Sequence, residues 1–249
     1  MSFEFKVLKK VKLNKPILIE GLPGIGNVGK ITADFIIESL KAEKIIDIRT
    51  YNLPNAVFVG EDNLIELPSL AIYYKRWKNN DILILGGDVQ PLDEKSCYEF
   101  CDLLLQLLKS YNTQEIITIG GIGLGTAPMD PKVFATANNK KMLAKYKHNK
   151  VSSSLYGIVG PIVGVTGILP ALSSRYDIPS IILLAETLGH PGYLGIKGSR
   201  AVLQVLESKF SFKMDLKSLD AEINELETEL KAKDLSLILK KQSSIDYIG

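Results

Sequence analysis

A glycine-rich segment, residues 21–30, carries the residue types that could hold a phosphate group. Gly24, Gly26 and Gly29 have the spacing of a dinucleotide-binding loop, and the segment follows a predicted strand and precedes a predicted helix. Bare backbone N–H groups and the positive end of the helix dipole would both favour an anion at this position. Lys30 would add a positive charge, so the segment is a candidate phosphate-binding loop.

Two features of this loop argue against a bound nucleotide. The acidic residue expected about twenty residues downstream is represented only by Asp47, which lies in the middle of a predicted strand. The phosphate-loop spacing from Gly24 to Lys30 is followed by Ile31, where a Ser or Thr would bind magnesium, and Thr32 comes one residue late. The alternative interpretation is a tight strand-to-helix turn that needs glycine for positive φ and close packing.

Glycines also follow two other predicted strands, at Gly86–Gly87 and in the segment Gly120–Gly125. Because the carboxyl ends of parallel strands meet at one edge of a sheet, these loops are expected to form a pocket there. The pocket would contain few catalytic side chains. The chain has two histidines, His148 in a lysine-rich stretch and His190 before a proline, and it has no Gly-x-Ser-x-Gly motif.

The remaining side chains add little catalytic chemistry. Asp88, Asp130 and Glu186 each follow a predicted strand or a glycine loop, but such carboxylates are commonly helix caps. The histidines and cysteines match no common zinc spacing. We therefore expect a protein that is not an enzyme, with no catalytic residues, no metal and no cofactor.

Composition and charge exclude several classes of protein. The 249 residues are 46% hydrophobic and 23% charged, enough for a large core, and a net charge of +2 without long runs of one sign favours neither nucleic acid nor an acidic membrane. Cys97 and Cys101 lie four residues apart on a predicted helix, which is typical of free thiols in a reducing compartment. The first twenty residues lack a signal-peptide core. We expect a cytoplasmic protein.

One uncharged segment, Val151–Ser174, is nearly long enough to cross a bilayer. It contains two prolines and four glycines, and the glycines would share one face of a helix. A membrane helix uses such a face for close packing, and so does a buried helix that approaches a sheet. The second interpretation is favoured, so no membrane contact is expected.

The order of apolar segments predicts an α/β protein. Strands are predicted at Pro16–Gly21, Lys44–Tyr51, Leu70–Tyr74, Asp81–Leu85, Glu115–Ile119 and Ser180–Ala185. Helices are predicted at Asn27–Lys41, Asp93–Tyr111 and Lys197–Phe210, and a hairpin turn at Gly60–Asn63 between Val57–Val59 and Leu64–Leu67. Strands that are apolar throughout and alternate with helices indicate a three-layer α/β/α sandwich with a mostly parallel sheet. This core domain is expected to span residues 1–212.

The composition changes beyond Phe212, where charged residues dominate. Residues 213–242 are expected to form a helical extension, since five leucine or isoleucine residues recur at spacings of three and four. This seam covers only about two heptads, fewer than coiled-coil pairing usually needs. Packing against the parent domain and contact with another subunit both stay open. Residues 243–249 are expected to form a flexible tail.

Several motifs occur together in a recognisable order along the chain. They are Glu20–Lys30, Gly87–Pro91, Tyr98–Phe100, Gly120–Gly123, Val133–Ala137 and Ala185–Gly192. With these motifs the chain resembles the archaeal members of the proteasome assembly chaperone family, over about residues 16–230. The resemblance implies a core similar to the nucleoside phosphorylase fold, self-association into a small homo-oligomer, and help in assembling the proteasome core particle rather than catalysis.

The resemblance also draws attention to the end of the chain. Family members that engage the proteasome use a carboxyl-terminal tail with a hydrophobic residue, a tyrosine and one further residue. Here the tail is Ile245, Asp246, Tyr247, Ile248 and Gly249, so the tyrosine is displaced by one position. An aromatic anchor beside a terminal carboxylate still suits insertion into a groove, whereas the alternative is a frayed terminus.

Two hypotheses about function follow. The first is a non-enzymatic, chaperone-like protein that self-associates and binds proteasome core-particle α-type subunits, with the tail as a candidate contact. The second is an enzyme or sensor that binds a phosphate-bearing small molecule or nucleotide at Gly24–Lys30. The resemblance favours the first.

Overall fold

The secondary structure alternates strands and helices in the order that the apolar pattern predicts. The computed structural model describes residues 3–221 and 223, except 61, 79, 92, 156, 158 and 159. In chain order the elements are β1 (Glu4–Val7), β2 (Ile17–Gly21), α1 (Val28–Leu40), β3 (Glu43–Arg49), β4 (Phe58–Val59), β5 (Ile65–Glu66), β6 (Leu70–Lys75), β7 (Ile82–Gly87), α2 (Glu94–Ser110), β8 (Glu115–Leu124), β9 (Val133–Ala137), α3 (Lys140–Lys145), β10 (Val151–Ser152), α4 (Val165–Ser173), β11 (Ser180–Leu188) and α5 (Ile196–Phe210). The predicted strands and helices are all present, with ends shifted by a few residues.

Nine of these strands form one mixed sheet in the order β1-β3-β6-β7-β2-β8-β11-β9-β10. The four central strands, β7, β2, β8 and β11, run parallel, whereas β1, β3, β6 and β9 each pair antiparallel with a neighbour. The centre is parallel because helices connect its strands. β6 and β7 are joined by only a short loop, and a parallel pair would need a crossover of a dozen or more residues. The sequence prediction of a parallel sheet is therefore confirmed for the centre, and the flanks make the sheet mixed.

Helices cover both faces of this sheet. On one face, glycines in β2 and β7 allow α1 to approach closely, so that a Cβ on Gly86 would lie 3.1 Å from Ile37. On the other face, Leu18 and Leu83 of the strands pack with Phe100 of α2 and Val165 of α4 in one apolar cluster. The α/β class with helices on both sides is thus confirmed. The likeness to the nucleoside phosphorylase fold stays a prediction.

The uncharged segment 151–174 forms the short strand β10 and the nine-residue helix α4. Val165 and Leu169 of α4 are fully buried against the sheet. Across the described residues, no helix combines the length and the apolar character needed to cross a membrane.

The predicted hairpin around Gly60–Asn63 is present as β4 and β5, which pair antiparallel in a separate two-stranded sheet. Near the other end, the chain divides into two compact units, Met1–Met214 and Asp215–Gly249. Residues 217–221 are helical. Most of the predicted extension (213–242) and all of the tail (243–249) lie outside the described residues, so both stay predictions.

Candidate functional site

Two glycines of the candidate phosphate loop are required by packing within the protein. Gly26 has φ +61°, and a Cβ on it would lie 2.6 Å from Oγ1 of Thr187 in β11. Gly29 lies in the first turn of α1, where a Cβ would lie 2.5 Å from the carbonyl oxygen of Ile119 in β8. Both distances are too short for a side chain, so these glycines let α1 begin directly against the sheet. This is the geometry of the tight-turn interpretation.

Gly24 differs from the other two glycines of the loop. Its backbone is extended, with φ −161°, and a Cβ on it would meet no atom within 4 Å. Any residue adopts such a conformation, and space for a side chain is available. Packing therefore does not explain this glycine, and it lies at the edge of a cavity described below.

Lys30 is paired with two carboxylates. Its Nζ donates to Asp88 Oδ1 at 3.0 Å and lies 3.0 Å from Asp34 Oδ2. Partial burial opposes the positive charge, but Asp34 and Asp88 outweigh this effect and raise the pKa of Lys30. A phosphate at the loop would have to compete with both carboxylates for this one cation.

Asp88, a candidate from the sequence, is held in place by the segment before β6. Its Oδ2 accepts hydrogen bonds from the backbone N–H of Ser69 at 3.0 Å and from Ser69 Oγ at 2.6 Å. Burial alone would raise the pKa of Asp88, but the bonds from Ser69 and Lys30 together hold it below its ordinary value. Asp88 therefore acts as a clamp that ties α1 to the ends of β6 and β7.

The glycine loops converge at the carboxyl edge of the central strands, as the sequence analysis expects. They line a cavity of about 450 Å³ between Gly24–Ile25, Gly120–Gly123 and Gly160–Gly164. Gln90, Thr166 and Leu184 complete the lining, in which there is no charged side chain among the described residues. The volume is within the range of small-molecule sites, and the lining suits an uncharged molecule better than a phosphate.

Glu20 is a buried acid beside this cavity that the sequence analysis did not single out. It ends β2 and has no exposed surface. Its Oε1 accepts from the backbone N–H of Leu22 at 3.0 Å, and Thr166 Oγ1 lies 3.4 Å from its Oε2. Burial raises the pKa of Glu20 from 4.5 to about 8. The available signal was an acidic residue at the end of an otherwise apolar strand.

The other candidate residues lie apart from this cavity. Cys97 and Cys101 are free and buried in α2, and a hydrogen bond between the thiols lowers the pKa of Cys97. Glu186 accepts a hydrogen bond from the backbone N–H of Lys132 at 2.9 Å. His148 Nδ1 accepts from the backbone N–H of Lys150 at 3.2 Å. His190 and Asp130 are exposed. In the part of the chain that the structure describes, no three His, Cys, Asp or Glu side chains come together in a way that could hold a metal ion.

Comparison with known proteins adds a family and a set of relatives. A family model described as the PAC2 family matches residues 18–233. An uncharacterized protein from Methanocaldococcus jannaschii is 32% identical over 247 residues, which are 97% of this chain and 90% of that protein.

Two solved structures from Pyrococcus furiosus are similar over almost their whole length. PbaB, an archaeal proteasome activator, is 27% identical with a TM-score of 0.86, covering 94% of this chain and 99% of PbaB. PbaA, an archaeal homolog of proteasome-assembly chaperone, is 23% identical with a TM-score of 0.77, and both chains are covered completely. At that identity, the second similarity concerns the fold alone.

Proposed function

This chain belongs to the PAC2 family, and from that premise we propose that it is a chaperone-like protein of proteasome assembly or activation. The observation that carries the proposal is the similarity to PbaB over nearly the whole length of both chains. The chemistry of the site supports it, because Lys30 is neutralised by Asp34 and Asp88. We expect the protein to act by binding other proteins rather than by catalysis.

The proposed partners are the α-type subunits of the proteasome core particle, with self-association of the chain as a second interaction. The proposed contact is the tail, Ile245, Asp246, Tyr247, Ile248 and Gly249, which lies outside the described residues. A tyrosine ring would fill an apolar groove and a terminal carboxylate would pair with a basic side chain.

The test is native mass spectrometry of the protein mixed with the α and β subunits of its own organism's proteasome. We expect the full chain to form a complex with α subunits, and a chain that ends at Ser243 to lose it. Tyr247→Ala should weaken the complex about tenfold or more, since aromatic anchors dominate such contacts. Tyr98→Ala, which changes a half-exposed tyrosine on α2, is the matched control. A full chain that binds neither subunit would refute the proposal.

The second candidate function is small-molecule binding at the glycine loops. The specific observation in its favour is the cavity of about 450 Å³ beside Gly24. The paired state of Lys30 and the uncharged lining weigh against a phosphate-bearing ligand.

The two candidates make different predictions for nucleotides and inorganic phosphate. We expect none of them to raise the melting temperature, and Lys30→Ala to lower stability by about 1 kcal/mol through loss of a partly exposed ion pair. Lys95→Ala, which removes an exposed lysine of α2, should be nearly neutral. A ligand at a hundred times its dissociation constant would stabilise by about 2.7 kcal/mol. Such a shift, abolished by Lys30→Ala, would favour the second candidate.

A further inference from the structure

The hairpin of β4 and β5 exposes an aliphatic face. Val59 pairs with Ile65, and because side chains alternate along a strand, Val57 and Leu67 lie on the same side of the hairpin. The side chains of Val57, Val59, Ile65 and Leu67 are 56%, 71%, 75% and 81% exposed. We call these four residues the hairpin face. A contiguous exposed patch of this kind marks an interaction site.

The charge of the hairpin indicates what kind of surface would cover it. Residues 50–69 contain Glu61, Asp62 and Glu66 and no lysine or arginine. In the described structure, β4 and β5 pair only with each other and not with the main sheet. A two-stranded hairpin is marginally stable alone. A surface that combines apolar side chains with positive charge would therefore complement it.

Such a surface lies on the first strand of the same fold. Val7 and Leu8 are 48% and 50% exposed, and they are flanked by the exposed residues Lys6, Lys9 and Lys10. Among the described strands, β1 pairs with β3 alone, so its other edge is free. We call residues 4–10 the basic edge.

The hairpin face and the basic edge lie at opposite ends of β3. The backbone N–H groups of Leu8 and Lys9 both donate to the carbonyl of Ile45, near the start of β3, at 2.8 and 3.2 Å. The hairpin instead follows Arg49, where β3 ends. The seven residues of β3 separate the two surfaces by roughly 20 Å. The short hairpin is therefore badly placed to cover its own basic edge.

We propose that the hairpin face of one copy of this chain binds the basic edge of the next copy. Aliphatic side chains would meet Val7 and Leu8, and the acidic residues of the hairpin would meet the lysines. Each copy offers both surfaces, so the contact is head-to-tail and closes into a ring where the rotation permits. The inference rests on the self-association in the proposed function and names its interface.

The test measures the mass of the full chain in solution by light scattering and native mass spectrometry. One variant carries Glu61→Lys and Glu66→Lys; Asp62 is kept because its Oδ1 accepts a turn hydrogen bond from Leu64 at 3.0 Å. A second carries Lys6→Glu and Lys10→Glu, and a third carries all four changes. We expect the wild type to be oligomeric, each of the first two to weaken association at least tenfold, and the third to restore it.

A fourth variant tests the apolar part of the contact. Val59→Ser with Ile65→Ser should yield monomers, whereas Met129→Ser with Val163→Ser, at positions 82% and 81% exposed, should leave the mass unchanged. A monomeric wild type, or a four-change variant that does not reassociate although its circular dichroism is native, would overturn the proposal. A hairpin variant that loses α-subunit binding at unchanged mass would instead place the proteasome on this face. No proteasome subunit is needed for the mass measurements, so their failure is distinguishable from failure of the proposed function.

Discussion

Glu20→Gln is expected to remove most of a decrease in stability that the wild type shows between about pH 4.5 and pH 8. The pKa of Glu20 is raised from 4.5 to about 8 by burial, so the folded protein binds a proton that the unfolded chain releases between these two values. The free energy of unfolding therefore falls as pH rises, by at most about 1.4 kcal/mol per pH unit. The stabilisation is complete below pH 4.5 and is lost as pH passes through 8. Gln keeps the shape of the neutral acid and carries no titrating proton.

Urea unfolding of wild type and variant at several pH values between 5 and 9 measures this difference. Because all other titrating groups are shared, the difference between the two curves isolates Glu20. Glu66→Gln, at an exposed position of the hairpin, is the control and should leave the wild-type slope. Equal slopes for wild type and Glu20→Gln would show that Glu20 is not a buried neutral acid.

Gly29→Ala is expected to destabilise the fold by about 3 kcal/mol or more, at the upper end of the usual cost of overpacking. A Cβ at this position would lie 2.5 Å from the carbonyl oxygen of Ile119, so α1 would have to move away from the sheet. At an unconstrained helix position the same change would stabilise by about 1 kcal/mol. The sign of the effect therefore separates close packing from a merely permissive glycine.

The control for this substitution lies in the same loop. Gly24→Ala introduces a methyl group that meets no atom within 4 Å and keeps an extended backbone, so the free energy of unfolding should change by less than about 0.5 kcal/mol. Thermal and urea unfolding of the two variants, with soluble yield as a second readout, makes the comparison. Equal losses at both positions would mean that the approach of α1 to β8 is not what requires glycine.

Much of the central fold could be predicted because its signals are local. Apolar runs such as those of β2 and β7 are buried on both faces, and glycines end them, so both the strands and the turns are legible along the chain. The helix α2 was predicted within a residue or two because Asp93 caps it, accepting a hydrogen bond from the backbone N–H of Ser96 at 2.9 Å. The hairpin was predicted from its turn residues alone.

The flanks of the sheet and the short helix α4 were not predicted. β1 mixes lysines with apolar residues because it lies at an edge with much of its surface exposed, and this pattern does not distinguish a strand from a loop. α4 begins only where Gly164 turns with φ +80° and Gln90 accepts a hydrogen bond from the backbone N–H of Val165. That bond joins residues 75 positions apart.

The sequence by itself determined the α/β class, the glycine turns, the hairpin and, through its motifs, the family. Only the tertiary structure decided which glycines are needed for packing, that Lys30 is paired with Asp88 from another strand end, and that Glu20 is buried beside a cavity. The first group depends on periodicity and turn chemistry within a few residues. The second depends on contacts across the sheet, where burial and distance set the charge of each group. Those quantities do not exist until distant segments have packed together.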